Sequence, residues 1–169
     1  MRKWMALLAL LAMAAAAAAP ASAQLRQGGR VLTGLIDYQN DSLDGGLTTT
    51  RLTLDFSFGY MFGAAFEGGG LLDSTSTSNN RGGSSAVQLL GGYGKYHFNP
   101  ARATPVYAGA LFASVSGDSS GSLFGPILGV KHFATSSLML ILESRLLLGT
   151  IDHANLTRIW ILGGLGWYF

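Results

Sequence analysis

The stretch Arg51–Phe62, RLTLDFSFGYMF, decides the fold. Its even positions are Leu52, Leu54, Phe56, Phe58, Tyr60 and Phe62; its odd positions are Arg51, Thr53, Asp55, Ser57, Gly59 and Met61. Side chains on a β-strand alternate between two faces. As a strand, this segment has one wholly apolar face and one mostly polar face. A helix would group its apolar residues three and four positions apart instead.

The same period recurs between turn signals along the chain. It predicts strands over Arg30–Tyr38, Thr49–Phe62, Ala64–Asp73, Ala86–Phe98, Pro105–Val115, Ser122–Phe133, Leu138–Thr150 and Thr157–Phe169. The linkers Tyr38–Thr48, Ser74–Ser85, Ser116–Gly121 and Ile151–Leu156 are polar and mostly longer. Those at Phe62–Gly63, Asn99–Thr104 and Ala134–Ser137 are tighter. Short turns on one side and longer loops opposite are the pattern of a transmembrane β-barrel. Within that frame Ser74–Ser85, STSTSNNRGGSS, reads as a flexible low-complexity loop.

Face parity says which side meets lipid. With the apolar parity outward, the polar parity holds Asp37, Arg51, Asp55, Glu67, Asp73, Lys95, His97, Lys131, Glu143, Arg145 and Arg158. A soluble ligand-carrying barrel would reverse this, with an apolar lumen and a charged exterior. An aromatic girdle is expected on the outward face near the short turns, formed by Tyr60, Phe62, Tyr96, Phe98 and Tyr107. The sheet must close, because an open edge in lipid leaves backbone groups unsatisfied. Pro126 lies within a predicted strand, where it removes a ladder hydrogen bond and suggests a bulge. The glycines at 68–70 and 91–92 fall within strands and suit the curvature of a narrow barrel.

The first residues read differently. Arg2 and Lys3 precede an apolar run, followed by Pro20 and Ala21-Ser22-Ala23. That is a secretory signal peptide over 1–23, helical and cleaved before Gln24, with the barrel domain over 24–169. Losing Arg2 and Lys3 leaves Lys and Arg equal in number to the 9 Asp and Glu. The basic balance of the whole chain is therefore no sign of nucleic-acid binding. With no cysteine, disulfides and thiolate metal sites are excluded.

The final segment makes the resemblance specific. Ile161, Gly163, Leu165, Trp167 and Phe169 share one parity, and Phe169 is the last residue. This resembles the C-terminal insertion signal of bacterial outer-membrane β-barrels, carried here by Ile161, Leu165, Trp167 and Phe169. Gly163 stands where that signal is usually bulkier. The segments GKYHF at 94–98, TPVYAG at 104–109 and LESR at 142–145 are similar to strands of the small eight-stranded outer-membrane proteins. The resemblance covers nearly the whole mature chain. It implies an all-β fold: an eight-stranded antiparallel up-and-down transmembrane β-barrel. It also implies export through the periplasm, assembly by the barrel assembly machinery and residence in the lipid of the Gram-negative outer membrane.

For function, the interior charges come first. Asp55, Glu67, Lys95, Lys131, Glu143, Arg145 and Arg158 form the candidate cluster. Eight strands leave a lumen that side chains just fill, and a buried charge needs a partner. The favoured expectation is a salt-bridged filling and a non-enzymatic structural or surface-interaction role. The alternative is a narrow porin-like conduit for ions or small solutes. A lipid-modifying enzyme ranks below both, with Asp152-His153 and Ser119 or Ser120 as the groups that would have to meet. No cofactor or metal is expected, since the histidines are scattered. The sequence names no surface ligand.

Overall fold

Each alternating segment pairs with its sequence neighbour, and the first also pairs with the last. The computed structural model describes residues 25–43 and 47–169. The strands are β1 (Arg30–Leu43), β2 (Leu47–Met61), β3 (Phe66–Asn79), β4 (Ser84–Phe98), β5 (Val106–Gly117), β6 (Gly121–Phe133), β7 (Leu138–Ile151) and β8 (Ala154–Tyr168). They form a closed antiparallel barrel in sequence order. β1 and β8 close it through pairs running from Val31↔Tyr168 to Ile36↔Gly163. The expected signal peptide lies outside the described residues.

The two faces separate as the alternation requires. Asp55, Glu67, Lys131 and His97 are fully buried in the lumen, whereas Phe56, Leu90, Phe112, Leu128 and Ile161 are exposed on the outer surface. At the lower rim Tyr60 and Phe62 stack edge to face with centroids 5.1 Å apart, and Tyr96 and Phe98 do so at 5.2 Å. Such a girdle suits the membrane–water interface.

Tyr107 does not belong to that girdle. It is fully buried on the inner face of β5. Its strand carries no charged residue, so nothing on β5 itself marks which parity faces the lumen. The pairing His97↔Tyr107 places it beside an inward histidine.

The upper connections also differ from expectation. Ser74–Asn79 and Ser84–Ser85 belong to β3 and β4, paired as far as Ser78↔Ser84. Only 80–83 remain as a turn, in which Asn79 Oδ1 accepts the backbone N–H groups of Arg81 and Gly83. The β7–β8 connection shrinks to Asp152 and His153, both with positive φ (49° and 69°). That is the backbone of a tight two-residue hairpin. The upper connections described, 80–83, 118–120 and 152–153, are no longer than those below at 62–65, 99–105 and 134–137. A tilted strand needs about 9–11 residues to cross a bilayer. Strands of 14 or 15 residues, such as β2 and β3, extend beyond it as a polar sheet rather than as loops.

Pro126 makes no bulge. The pairs Phe124↔Leu148 and Ile127↔Arg145 keep one register across it. The ladder is interrupted there, and Gly125 brings the backbone of β6 close to the Leu146 carbonyl.

Tight curvature depends on particular glycines. A Cβ at Gly91 would lie 2.2 Å from the Phe112 carbonyl oxygen, and one at Gly69 2.1 Å from that of Phe58. Both obstacles are backbone, which cannot swing away. Gly91→Ala is therefore expected to cost about 1–3 kcal/mol through overpacking, read as a lower urea midpoint in lipid vesicles. An unchanged midpoint would mean that the wall has slack at this point.

Candidate functional site: an ionic network across the lumen

Two carboxylates organise the lumen. Glu143 on β7 accepts from Lys95 Nζ on β4 at 2.7 Å, from the Tyr107 hydroxyl on β5 at 2.7 Å and from Arg145 Nε at 2.6 Å. Glu67 on β3 pairs with Lys131 on β6 and accepts from the Tyr93 hydroxyl at 2.9 Å. His97 Nε2 lies 3.4 Å from the same carboxylate. Arg145 also reaches Asp55 on β2 at 2.9 Å and Asp73 on β3 at 3.2 Å.

These pairs join strands that are not neighbours: β4 to β7, β3 to β6, and β7 to β2 and β3. The bonds cross the lumen and tie opposite walls. Alternation supplies the inward direction, and the barrel's narrow bore supplies the reach. Lys95 lies over the rings of Tyr93 (4.4 Å) and Tyr107 (5.0 Å), where the ring quadrupole favours a cation. All these charged groups are buried, so each depends on its partners rather than on water. Asp55 and Asp73 face each other across the β2–β3 ladder and share one guanidinium.

Six of the seven expected cluster residues meet here: Asp55, Glu67, Lys95, Lys131, Glu143 and Arg145. Arg158 does not. It sits higher, on the wall of a separate cavity. Within the network Lys131 pairs with Glu67. Asp73, Tyr93, Tyr107 and His97 complete the network. Asp73, His97 and Tyr93 share the polar parity of their strands, whereas Tyr107, on a strand with no charged residue, is not readable as a member from alternation alone.

Below the network the lumen closes in apolar side chains. Val31, Met61, Phe133 and Met139, all at lower strand ends, are fully buried. The segment before β1 folds under this end. The Leu25 N–H donates to the Pro100 carbonyl (3.2 Å), the Gly28 N–H donates to that of Met61 (2.8 Å), and the Leu25 side chain is buried with the core.

The upper rim holds the groups considered for catalysis. Asp152 Oδ1 accepts the Ser120 backbone N–H at 2.9 Å, and this bond holds its carboxyl below the usual range. It also bonds the Ser119 hydroxyl directly. A hydrolytic triad needs the histidine between serine and acid. Here the carboxylate staples two hairpins together. Among the described residues no group of three or more His, Asp or Glu is placed to hold a metal ion. Phe169, the last residue of the expected insertion signal, pairs by backbone bonds with Arg30 at 2.7 and 3.0 Å, and its ring is exposed beside Trp167 on the outer face.

Comparisons with known proteins agree with this architecture. The family model described as outer membrane protein beta-barrel domain matches residues 5–169. A de novo designed transmembrane β-barrel is 13% identical with a TM-score of 0.51, covering 86% of this chain and 99% of its own. The crystal structure of the outer membrane protein OprG from Pseudomonas aeruginosa is 13% identical with a TM-score of 0.52, covering 88% of this chain and 98% of its own. At that identity the likeness concerns the fold. No curated protein matches significantly.

Proposed function

The chain belongs to the outer membrane protein beta-barrel domain family, and we propose that within the outer membrane it acts as a non-enzymatic structural barrel with a sealed lumen. The observation that carries this reading is the set of trans-lumenal bonds from Glu143, Glu67 and Arg145. They fill the bore where ions would have to pass. An apolar layer and the Leu25 segment lie beneath them. The outer face contributes a lipid-matched wall, and the polar sheet above it a surface for contacts with other envelope components. The signal peptide, the periplasmic route and recognition of Ile161, Leu165, Trp167 and Phe169 by the assembly machinery belong to the same proposal.

Cells lacking the protein test this role. They should become more sensitive to detergents and to bulky antibiotics that an intact envelope excludes. A variant with His153→Ala should restore resistance, because no step of catalysis is involved. Unchanged sensitivity in the deletion, or failure of the His153→Ala variant despite normal folding, contradicts the proposal.

A narrow conduit is the second reading. The favouring observation is the cavity above the network, which reaches the upper rim at Ser119 and Asn155. On that reading the ionic bonds would have to open for ions to pass.

A further inference from the structure

Above the ionic network the lumen widens into a cavity of about 320 Å³. One wall carries Arg158 and Trp160, two residues apart on the same face of β8. At strand spacing these positions are separated by about 7 Å. The Trp160 side chain is 2% exposed, yet its indole Nε1–H has no hydrogen-bond partner. A buried donor without an acceptor is rare in folded proteins and calls for an explanation. Among the described residues Arg158 makes no hydrogen bond or ion pair, and the charge acting on it is another cation, Arg51. Val87 and Leu89 on β4 stand across the bore from these donors, Leu147 is Arg158's partner on the adjacent strand β7, and Leu123 on β6 completes the apolar lining.

We propose that this cavity is a binding site for a small organic anion with a short apolar body. The acidic head accepts hydrogen bonds from the Arg158 guanidinium and the Trp160 indole N–H. The apolar body lies against the leucines and Val87. A cation would meet the Arg158 guanidinium and no carboxylate among the residues lining the cavity. A wholly apolar ligand would leave both donors unpaired, which is costly in a buried site. The site lies above the ionic network, so it stands whether or not ions pass below.

Hexanoate is a suitable probe, because Trp160 reports on it directly. The protein is purified from membranes, and its folding is checked by heat-modifiable migration. Its tryptophan fluorescence is then titrated with sodium hexanoate and, separately, with hexylammonium chloride. The expected result is a saturable change with hexanoate alone, shifted to about tenfold or higher concentration in Arg158→Gln, as loss of a charge-assisted bond implies. Trp160→Phe should abolish the change, since lipid-facing Trp167 reports only partition into the detergent or bilayer. If Arg158→Gln does not fold, Val87→Phe, which fills the cavity from the facing wall, takes its place and should also abolish binding. The proposal is overturned by any of three results. One is no saturable change. Another is equal response to hexylammonium. The third is a response that survives Trp160→Phe or is unaltered in the folded Arg158 or Val87 variant.

Discussion

Arg145→Met is expected to destabilise the barrel by about 3–5 kcal/mol, the range for breaking a buried ion pair from one side. The guanidinium is 1% exposed and bonds Glu143, Asp55 and Asp73 at once. Methionine fills much of its volume but none of its charge. Three carboxylates on β2, β3 and β7 are then left together without it. Lys95 still compensates Glu143, but the described structure gives Asp55 and Asp73 no other cation. The measurement is urea unfolding in lipid vesicles, followed by tryptophan fluorescence. Adding Asp55→Asn and Asp73→Asn to Arg145→Met should return most of the loss. Removing all the charges of a buried cluster is far less costly than stranding some of them. A loss below about 1 kcal/mol would mean that water reaches these groups and that the bonds do little to hold the walls.

The second large effect is on the opposite face. Leu142→Arg is expected to cost about 2–4 kcal/mol, as for a cation at the bilayer midplane. Leu142 is exposed on the outer wall, paired with Val130 and Gly163. Four residues below it on β7, Leu138 pairs with Trp167 of the rim. At strand rise that is about 13 Å along a tilted strand, close to the middle of an apolar band about 25 Å tall. Ser114→Arg, outward but near the top of β5, should cost only about 0–1 kcal/mol. Equal costs at the two sites would contradict the assigned depth. A neutral Leu142→Arg would contradict the assigned face.

The pattern of Arg51–Phe62 carried the fold because a charge on one parity fixes the direction of every other residue in the strand. β3, β4, β6 and β7 each have such a marker, in Glu67, Lys95, Lys131 and Glu143. β5 has none, so its sequence alone sends Tyr107 to the aromatic rim, whereas its pairing with inward His97 turns it into the lumen. The upper strand ends were hidden for a related reason. Above the bilayer the outer face meets water and the inner face is itself polar, so Ser74–Asn79 lacks an apolar parity and resembles a loop in composition. Its ladder hydrogen bonds continue all the same.

The site was legible in part. Parity alone gathers the charges in the lumen. It cannot say which pairs form, because the bonds join strands on opposite walls whose relative height depends on strand tilt and register. Glu67 and Lys95 are direct cross-strand partners, yet Lys95 bonds Glu143 across the bore. Arg158 shares the inward parity but stands in the cavity above the network. The Leu25 segment beneath the lower mouth has no periodicity at all, and no sequence rule would have placed it there.

The sealed lumen is tested most directly by single-channel conductance of the verified folded protein in a planar bilayer. Silence across the accessible voltage range is the predicted result, with the trans-lumenal bonds from Arg145, Glu143 and Glu67 blocking the bore. A steady conductance that changes with Arg145→Ala would contradict it, and would make the interior charges the lining of a path.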